Sequence, residues 1–323
     1  MRSTVVLGAF LALLATCATA FSETPVLRIA VLKFGTVNWE LDTIKHHQLD
    51  TARGFDLEVN GVAGGAAAKI ALQGGEADII VSDWLWVARQ RAAGKDFVFL
   101  PYSKSVGGLL VSGDSPAKSL ADIKGGRIGI AGGPLDKSWL ILNAYTMKTH
   151  GFDLAGSTEQ VFGAPPLIYK TALAGDLDGA INFWHFAAKM KAGGMRELVS
   201  VAQAAESLGL DPDMPLLGYV FDGALLRDNP DLVQGFAQAS RAAKDILARD
   251  DAEWDRLREL MKAKTDAQFE ALKAGFRQGI PAPGPVDETS ARRMFDLVVE
   301  LTGEELVGKA KALPDGVFVH FGS

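Results

Sequence analysis

Lys69–Gly94 reads KIALQGGEADIIVSDWLWVARQRAAG, and later in the chain Lys170–Gly194 reads KTALAGDLDGAINFWHFAAKMKAGG. With a one-residue gap, Lys69 aligns with Lys170, Leu72 with Leu173, Gly74 with Gly175, Asp78 with Asp178, Trp84 with Trp184 and Arg91 with Lys191. Upstream, Arg28–Val31 (RIAV) matches Arg127–Ile130 (RIGI), each a short apolar strand that leads into a glycine-containing turn and a helical stretch. Two copies are too few for a solenoid, so the repeat predicts two similarly built α/β lobes facing each other across a cleft.

The order of elements inside each copy supports this. Val26–Leu32 and Ala77–Val81 are short runs rich in Val, Ile and Leu, and Phe55–Val59 alternates; a helix over Ala66–Gln73, stopped by Gly74-Gly75, lies between the last two. Strand–helix–strand units build parallel sheets, which bind ligands beyond the carboxyl ends of their strands. Extended segments near Val106–Val111 and Leu216–Phe221 are expected to cross between the lobes. The expected division is residues 21–108 with 216–323 for lobe one and 109–215 for lobe two. After Asn229-Pro230 the pattern turns helical, with stretches beginning at Asp251, Thr265 and Glu288 that are expected to pack on lobe one.

Residues 1–20 read as an export signal. Arg2 precedes an apolar run from Val5 to Ala15, and Ala18-Thr19-Ala20 supplies a small-x-small cleavage site before Phe21. A lipidated start at Cys17 is the competing reading. Cleavage after Ala20 removes Cys17, the only cysteine, and with it disulfides, thiolate metal sites and cysteine nucleophiles. At 48% hydrophobic and 22% charged the composition is that of an ordinary globular chain, and its net charge of −6 without a Lys/Arg stripe disfavours nucleic acid.

Five of the six tryptophans, Trp39, Trp84, Trp86, Trp139 and Trp184, fall in loops expected over the cleft, and Trp254 lies elsewhere. Any one of them reads equally as core, and Trp86 as helix packing; together, the rings suit an organic ligand or an alkylated cation. Gly132–Trp139 (GGPLDKSW) is a glycine turn opening a helix, whose free amides suit an anionic group, with Lys137 and Ser138 adding a charge and a hydroxyl. Asp136 and Asp83 read as helix N-caps or, together with Glu40, as carboxylates facing an amine or a metal. The adjacent pair His46-His47 reads as a solvated helix face, because neighbouring helical residues point about 100° apart. His185, beside Trp184, is placed near the ligand. Nucleotide-phosphate, nucleophile-elbow and zinc-helix motifs are absent, so no catalytic residue, metal ligand or cofactor is assigned.

The signal, Arg28–Gly35 (RIAVLKFG), Ala71–Asp78 (ALQGGEAD) and Ser119–Gly129 (SLADIKGGRIG) together resemble the nitrate, sulfonate and taurine group of ABC-transporter substrate-binding proteins. The resemblance spans nearly the whole mature chain and implies a type II periplasmic binding fold: two α/β lobes joined by two crossing strands, with the C-terminal helices on lobe one. It implies a monomer in the periplasm that captures a small organic or anionic solute and delivers it to an ABC permease and its ATPase, without catalysis. By position it implies a ligand cleft lined by Thr36, Asn38 and Trp39; Ser82, Asp83 and Trp84; Gly133, Asp136, Lys137, Ser138 and Trp139; and Asn182, Trp184 and His185. The group also includes binders of thiamine-precursor pyrimidines, so an aromatic, pyrimidine-like or alkylated-amine solute is the alternative. A sensory binding protein would look the same in sequence, and an enzyme on this fold would need a cysteine-rich iron site that this chain lacks.

Overall fold

Strand β1 (Val26–Leu32) buries Leu27 and the run Ile29–Val31, and every residue of it pairs in parallel with β2 (Asp56–Val62). Helix α1 (Val37–His46) connects them. The computed structural model describes residues 24–321; the export signal, its cleavage site and the Cys17 alternative lie outside the described residues. After β2 come α2 (Gly65–Gln73), β3 (Ile79–Asp83), α3 (Trp84–Ala92) and β4 (Phe97–Ser103). The chain then crosses to the second lobe and forms β5 (Gly108–Ser112), β6 (Arg127–Ala131), α4 (Lys137–His150), β7 (Glu159–Gly163), α5 (Pro165–Leu173), β8 (Gly179–Ile181), α6 (Trp184–Ala192), β9 (Met195–Ser200) and α7 (Val201–Ser207). It returns through residues 208–216 into β10 (Leu217–Asp222). Six helices follow: α8 (Gly223–Asp228), α9 (Pro230–Arg249), α10 (Asp251–Met261), α11 (Asp266–Gln278), α12 (Glu288–Thr302) and α13 (Glu304–Val307). No helix among the described residues is long and apolar enough to cross a membrane.

The strands form two five-stranded sheets, ordered β2-β1-β3-β10-β4 and β7-β6-β8-β5-β9. In each, three parallel strands are followed by an antiparallel one that enters directly from a crossing, β10 in the first and β5 in the second. The sheets are therefore mixed rather than purely parallel. The fold is the two-lobed α/β arrangement of periplasmic binding proteins, with Lys104 of one crossing paired to Asp213 of the other.

The repeat is visible in single hydrogen bonds. Asp78 Oδ2 accepts the backbone N–H of Arg28 at 2.8 Å, and Asp178 Oδ2 accepts that of Arg127 at 2.8 Å, so the matched Arg and Asp residues lock the same strand pair in both lobes. The helix limits place the alignment gap earlier than the sequence match does. Gly65–Gln73 corresponds to Pro165–Leu173, which pairs Lys69 with Tyr169 and Gly75 with Gly175; both glycines have a left-handed backbone (φ 74° and 82°) that closes the helix at no steric cost.

Sequence periodicity does not announce β7, β9 or β4, and in β4 Pro101 interrupts the pattern. Proline is tolerated there because β4 ends its sheet. Its free edge is covered by the C-terminal segment, where the Phe99 N–H donates to Val317 O at 2.7 Å and the Val319 N–H donates to Phe99 O at 2.9 Å. The C-terminal helices pack on lobe one, with α9 against α1, and also reach lobe two, with α11 against α6 and α12 against α4.

Candidate functional site

The carboxyl ends of β3 and β6 bring the two lobes together. Asp83 closes β3 in an extended conformation, so its carboxylate turns back to accept the Trp86 N–H at 2.9 Å and caps α3. In lobe two, Gly132 and Gly133 follow β6 with φ of 99° and 100°, a turn that favours glycine, and Asp136 caps α4 by accepting the Trp139 N–H at 3.1 Å. The cap leaves Lys137 as the first residue of α4, and its Nζ donates to Asp83 Oδ2 across the lobes at 3.0 Å. Lys69, from α2, lies with its Nζ 4.9 Å from the centre of the Trp86 ring.

These groups set one another's charge. Burial pushes the Asp83 carboxyl up, but Lys137, Lys69 and the Trp86 amide outweigh that and hold it below the usual carboxylate range. Burial lowers the Lys137 ammonium, and its contact with Asp83 more than restores it. Lys69 is pushed down by burial, and Lys137 and Arg89 add to this against the pull of Asp83. Asp136 is raised by burial despite its capping bonds. Lys69 and Lys137 thus meet the carboxyls of Asp83 and Asp136 where the lobes touch, and the two ammonium groups, with the amides opening α4, are the groups there that suit an anion.

The remaining residues expected in the cleft divide sharply. Ser138 follows Lys137 in the first turn of α4 and Gly133 holds the turn before it. Thr36 is buried, its Oγ1 3.4 Å from the Tyr102 hydroxyl. Asn38 is committed locally: its amide donates to Leu32 O at 2.8 Å and Gly35 O at 2.7 Å, stapling the turn after β1. Ser82 is buried, and so is Asn182, which donates to Pro165 O at 3.0 Å and accepts the Phe183 N–H at 2.8 Å. Glu40 faces no cleft. It is fully buried, and Lys244, Tyr219 and Ser240 surround it at 2.8, 2.7 and 2.6 Å from Oε1.

Trp84 and Trp184, matched in the repeat and both expected over the cleft, do not face each other. Trp84 is fully buried in the core of lobe one, 5.8 Å from the Phe318 ring, while Trp184 packs edge-on to Trp39 at 6.0 Å in a separate cluster. Trp254, expected to lie apart, belongs to that second cluster, 5.8 Å from Trp39. Trp139 is buried in the core, and Trp86 stacks on Phe97. Indole is the largest apolar side chain available to fill the space between lobes and helices, and that demand outweighs its use as a stacking platform here. His185 is wrapped by Phe183, Trp184 and Phe186, and burial, aided by Lys189, pushes its imidazole down to about 3. Its Nε2 has no hydrogen-bond partner among the described residues.

Lys69 and two exposed aromatics add to the residues expected from sequence. Lys69 reaches the site from α2. Phe34 and Phe183, 52% and 37% exposed, each stand two residues beyond a strand, β1 and β8, that pairs in parallel with β3 and β6 respectively. Their sequence signal is an aromatic just after a strand of the repeat.

Known proteins match this chain in family and in fold. Residues 51–253, more than half of the chain, match the family model described as NMT1/THI5 like. Among curated protein sequences no relative is detected. Among solved structures, the chain is similar to the periplasmic aliphatic sulphonate binding protein SsuA of Escherichia coli, at 19% identity and TM-score 0.73 over 91% of this chain and 92% of that one. It is similar to the alkanesulfonate-binding protein SsuA of Xanthomonas axonopodis pv. citri bound to MOPS, at 19% identity and TM-score 0.69 over 92% and 99%. A more distant likeness, 17% identical with TM-score 0.57 over 86% and 91%, is the desulfurization enzyme DSZB. At these identities the likenesses speak for the fold, and the family model for descent: the chain belongs to the NMT1/THI5-like family and carries the periplasmic binding protein fold.

Proposed function

We propose that this protein is the solute-binding component of an ABC importer, acting in the periplasm, and that it holds a small organic anion between its lobes for delivery to a membrane permease. The observation that carries this reading is the meeting of Lys69, Lys137 and Asp83 where the two lobes touch. An anion entering there takes Lys137 from Asp83, gains Lys69 and the free amides opening α4, and leaves Asp83 to its cap on α3. Phe34 and Phe183 offer the ligand's apolar body a place to rest. The fold shared with alkanesulfonate-binding proteins supports a sulfonate or a similar oxyanion on an organic tail. A catalytic role has less support: the imidazole of His185 is held neutral by burial, and its Nε2 has no hydrogen-bond partner among the described residues.

The deciding measurement is native mass spectrometry of the purified protein with its co-purified solute, followed by isothermal titration with taurine, an alkanesulfonate, an arylsulfonate, nitrate and a neutral pyrimidine. Saturable binding of a sulfonate that Lys137→Gln weakens by about ten-fold or more supports the reading, since a hydrogen bond to a charged group contributes about 1.5–3 kcal/mol. Binding of the pyrimidine alone, unaffected by Lys137→Gln, would replace it with the aromatic-solute alternative.

A further inference from the structure

A second cluster of ligand-type side chains lies within lobe one, on elements that do not carry the Asp83–Lys137 pair. His46 ends α1, His47 is the residue that closes it, and Glu253 stands in the first turn of α10, which packs across α1. One ligand atom from each of the three lies within 4.8 Å of the other two. The two histidines would diverge on a continuing helix, but His47 (φ −90°, ψ 8°) has left helical geometry, and the two rings meet edge to face with centroids 4.9 Å apart.

We propose that His46, His47 and Glu253 form a binding site for a divalent transition-metal cation of the zinc class, holding α1 to α10. The donor set is two imidazole nitrogens and one carboxylate oxygen, the ligands of three-residue zinc sites with water in the fourth position, and not the all-oxygen cage that calcium or magnesium requires. Ligand atoms on one tetrahedral zinc ion stand about 3.3–3.6 Å apart, given bonds of about 2.0–2.2 Å. The three groups must therefore draw together by about 1 Å, which rotation of the exposed His46 side chain supplies.

Glu253 is prepared for the task. Its side chain is buried and fixed by Thr43 Oγ1 at 2.6 Å and by Arg256 Nη2 and Nε at 2.7 and 3.1 Å, while Oε2 faces His47 Nε2 at 3.1 Å. A cation replaces the His47 hydrogen bond and shares Oε2 with Arg256 Nε. Arg256 is the charge that opposes a cation here, and Asp42, 2.5 Å from Arg256 Nη1, offsets it. Two carboxylates against one guanidinium leave the pocket attractive to a positive ion.

The test is isothermal titration of the chelator-stripped, untagged protein with zinc sulfate, paired with the visible spectrum after cobalt(II) addition. Saturable micromolar binding of one zinc per chain is expected, together with a cobalt spectrum of low-coordinate geometry. His46→Ala and His47→Ala are each expected to weaken binding by about ten-fold or more, the loss seen even when supporting residues around a metal are removed. The double variant should abolish it, and His150→Ala and His320→Ala should leave it unchanged. Both cluster histidines are exposed, so the variants are expected to fold, which circular dichroism checks. Absence of saturable zinc binding, or one-to-one binding that survives the double substitution, would overturn the site. Because the cluster and the cleft are separate, either outcome leaves the anion titrations to be judged on their own.

Discussion

The N-termini of α3 and α6 occupy the same place in the two halves of the repeat, and they do different work. At α3, Asp83 caps the helix and pairs with Lys137 across the lobes, while Trp84 turns inward and is fully buried. At α6, Phe183 stands where the cap would be and makes no side-chain cap; Trp184 points out of its own lobe and lodges beside Trp39 and Gly275 of lobe one. One end therefore contributes charge to the contact between lobes, and the other contributes an aromatic wedge. A repeat preserves where the backbone goes, and the side chains are then free to specialise.

The largest test of this contrast is Trp84→Ala. Removing a fully buried indole should cost about 3–5 kcal/mol of stability, read from urea unfolding. A loss comparable to that of an exposed substitution would mean that Trp84 is not a core residue and that the two tryptophans are equivalent after all.

Asp83→Ala removes a cap and leaves Lys137 without its partner. The cap alone is worth about 1 kcal/mol, and the part-buried pair adds a similar amount, so a fall of about 2 kcal/mol is expected. Phe183→Ala, at the matched position without a cap, should cost clearly less. Equal losses in the two variants would remove the distinction between the charged and the aromatic end.

Acidity sharpens the comparison at α6. The His185 imidazole titrates at about 3 in the folded chain and at 6.5 when unfolded, so the unfolded state alone takes up the proton between these values. The stabilisation is complete above pH 6.5 and is lost as pH falls toward 3, by up to about 1.4 kcal/mol per unit. Stability measured from pH 7 to 4 should fall less steeply for His185→Gln than for the parent. Equal slopes would place the ring in solvent.

The smallest expected effect is at the wedge itself. Trp184→Ala should lower stability by about 0.5–1.5 kcal/mol for its edge-to-face contact, plus what its part-buried surface contributes, and small-angle scattering should show a looser pair of lobes. Gly275→Ala probes the same contact from the other side, since an added Cβ would meet Trp184 Cζ3 at 2.7 Å. An unchanged scattering profile in both variants would show that the ring does not hold the lobes together.

The sequence by itself determined the repeat, the strand–helix order, the caps at Asp83 and Asp136 and the glycine turn before α4, because each depends on residues within a few positions of one another. Thr265 and the pair Asn229-Pro230 announced α11 and α9 in the same way. Strand β4 was hidden because the permission for Pro101 comes from its place at the end of a sheet, which no local pattern records. The direction of each tryptophan was hidden for a related reason: Trp84 and Trp184 share a backbone position, and only the neighbours brought by distant helices, Phe318 for one and Trp39, Trp254 and Phe276 for the other's cluster, decide which way a ring turns. The pairing of Lys137 with Asp83 and the meeting of His46 and His47 with Glu253 likewise join residues far apart in the chain. Charge and aromatic surface act through space, so tertiary packing alone settled which of these side chains meet.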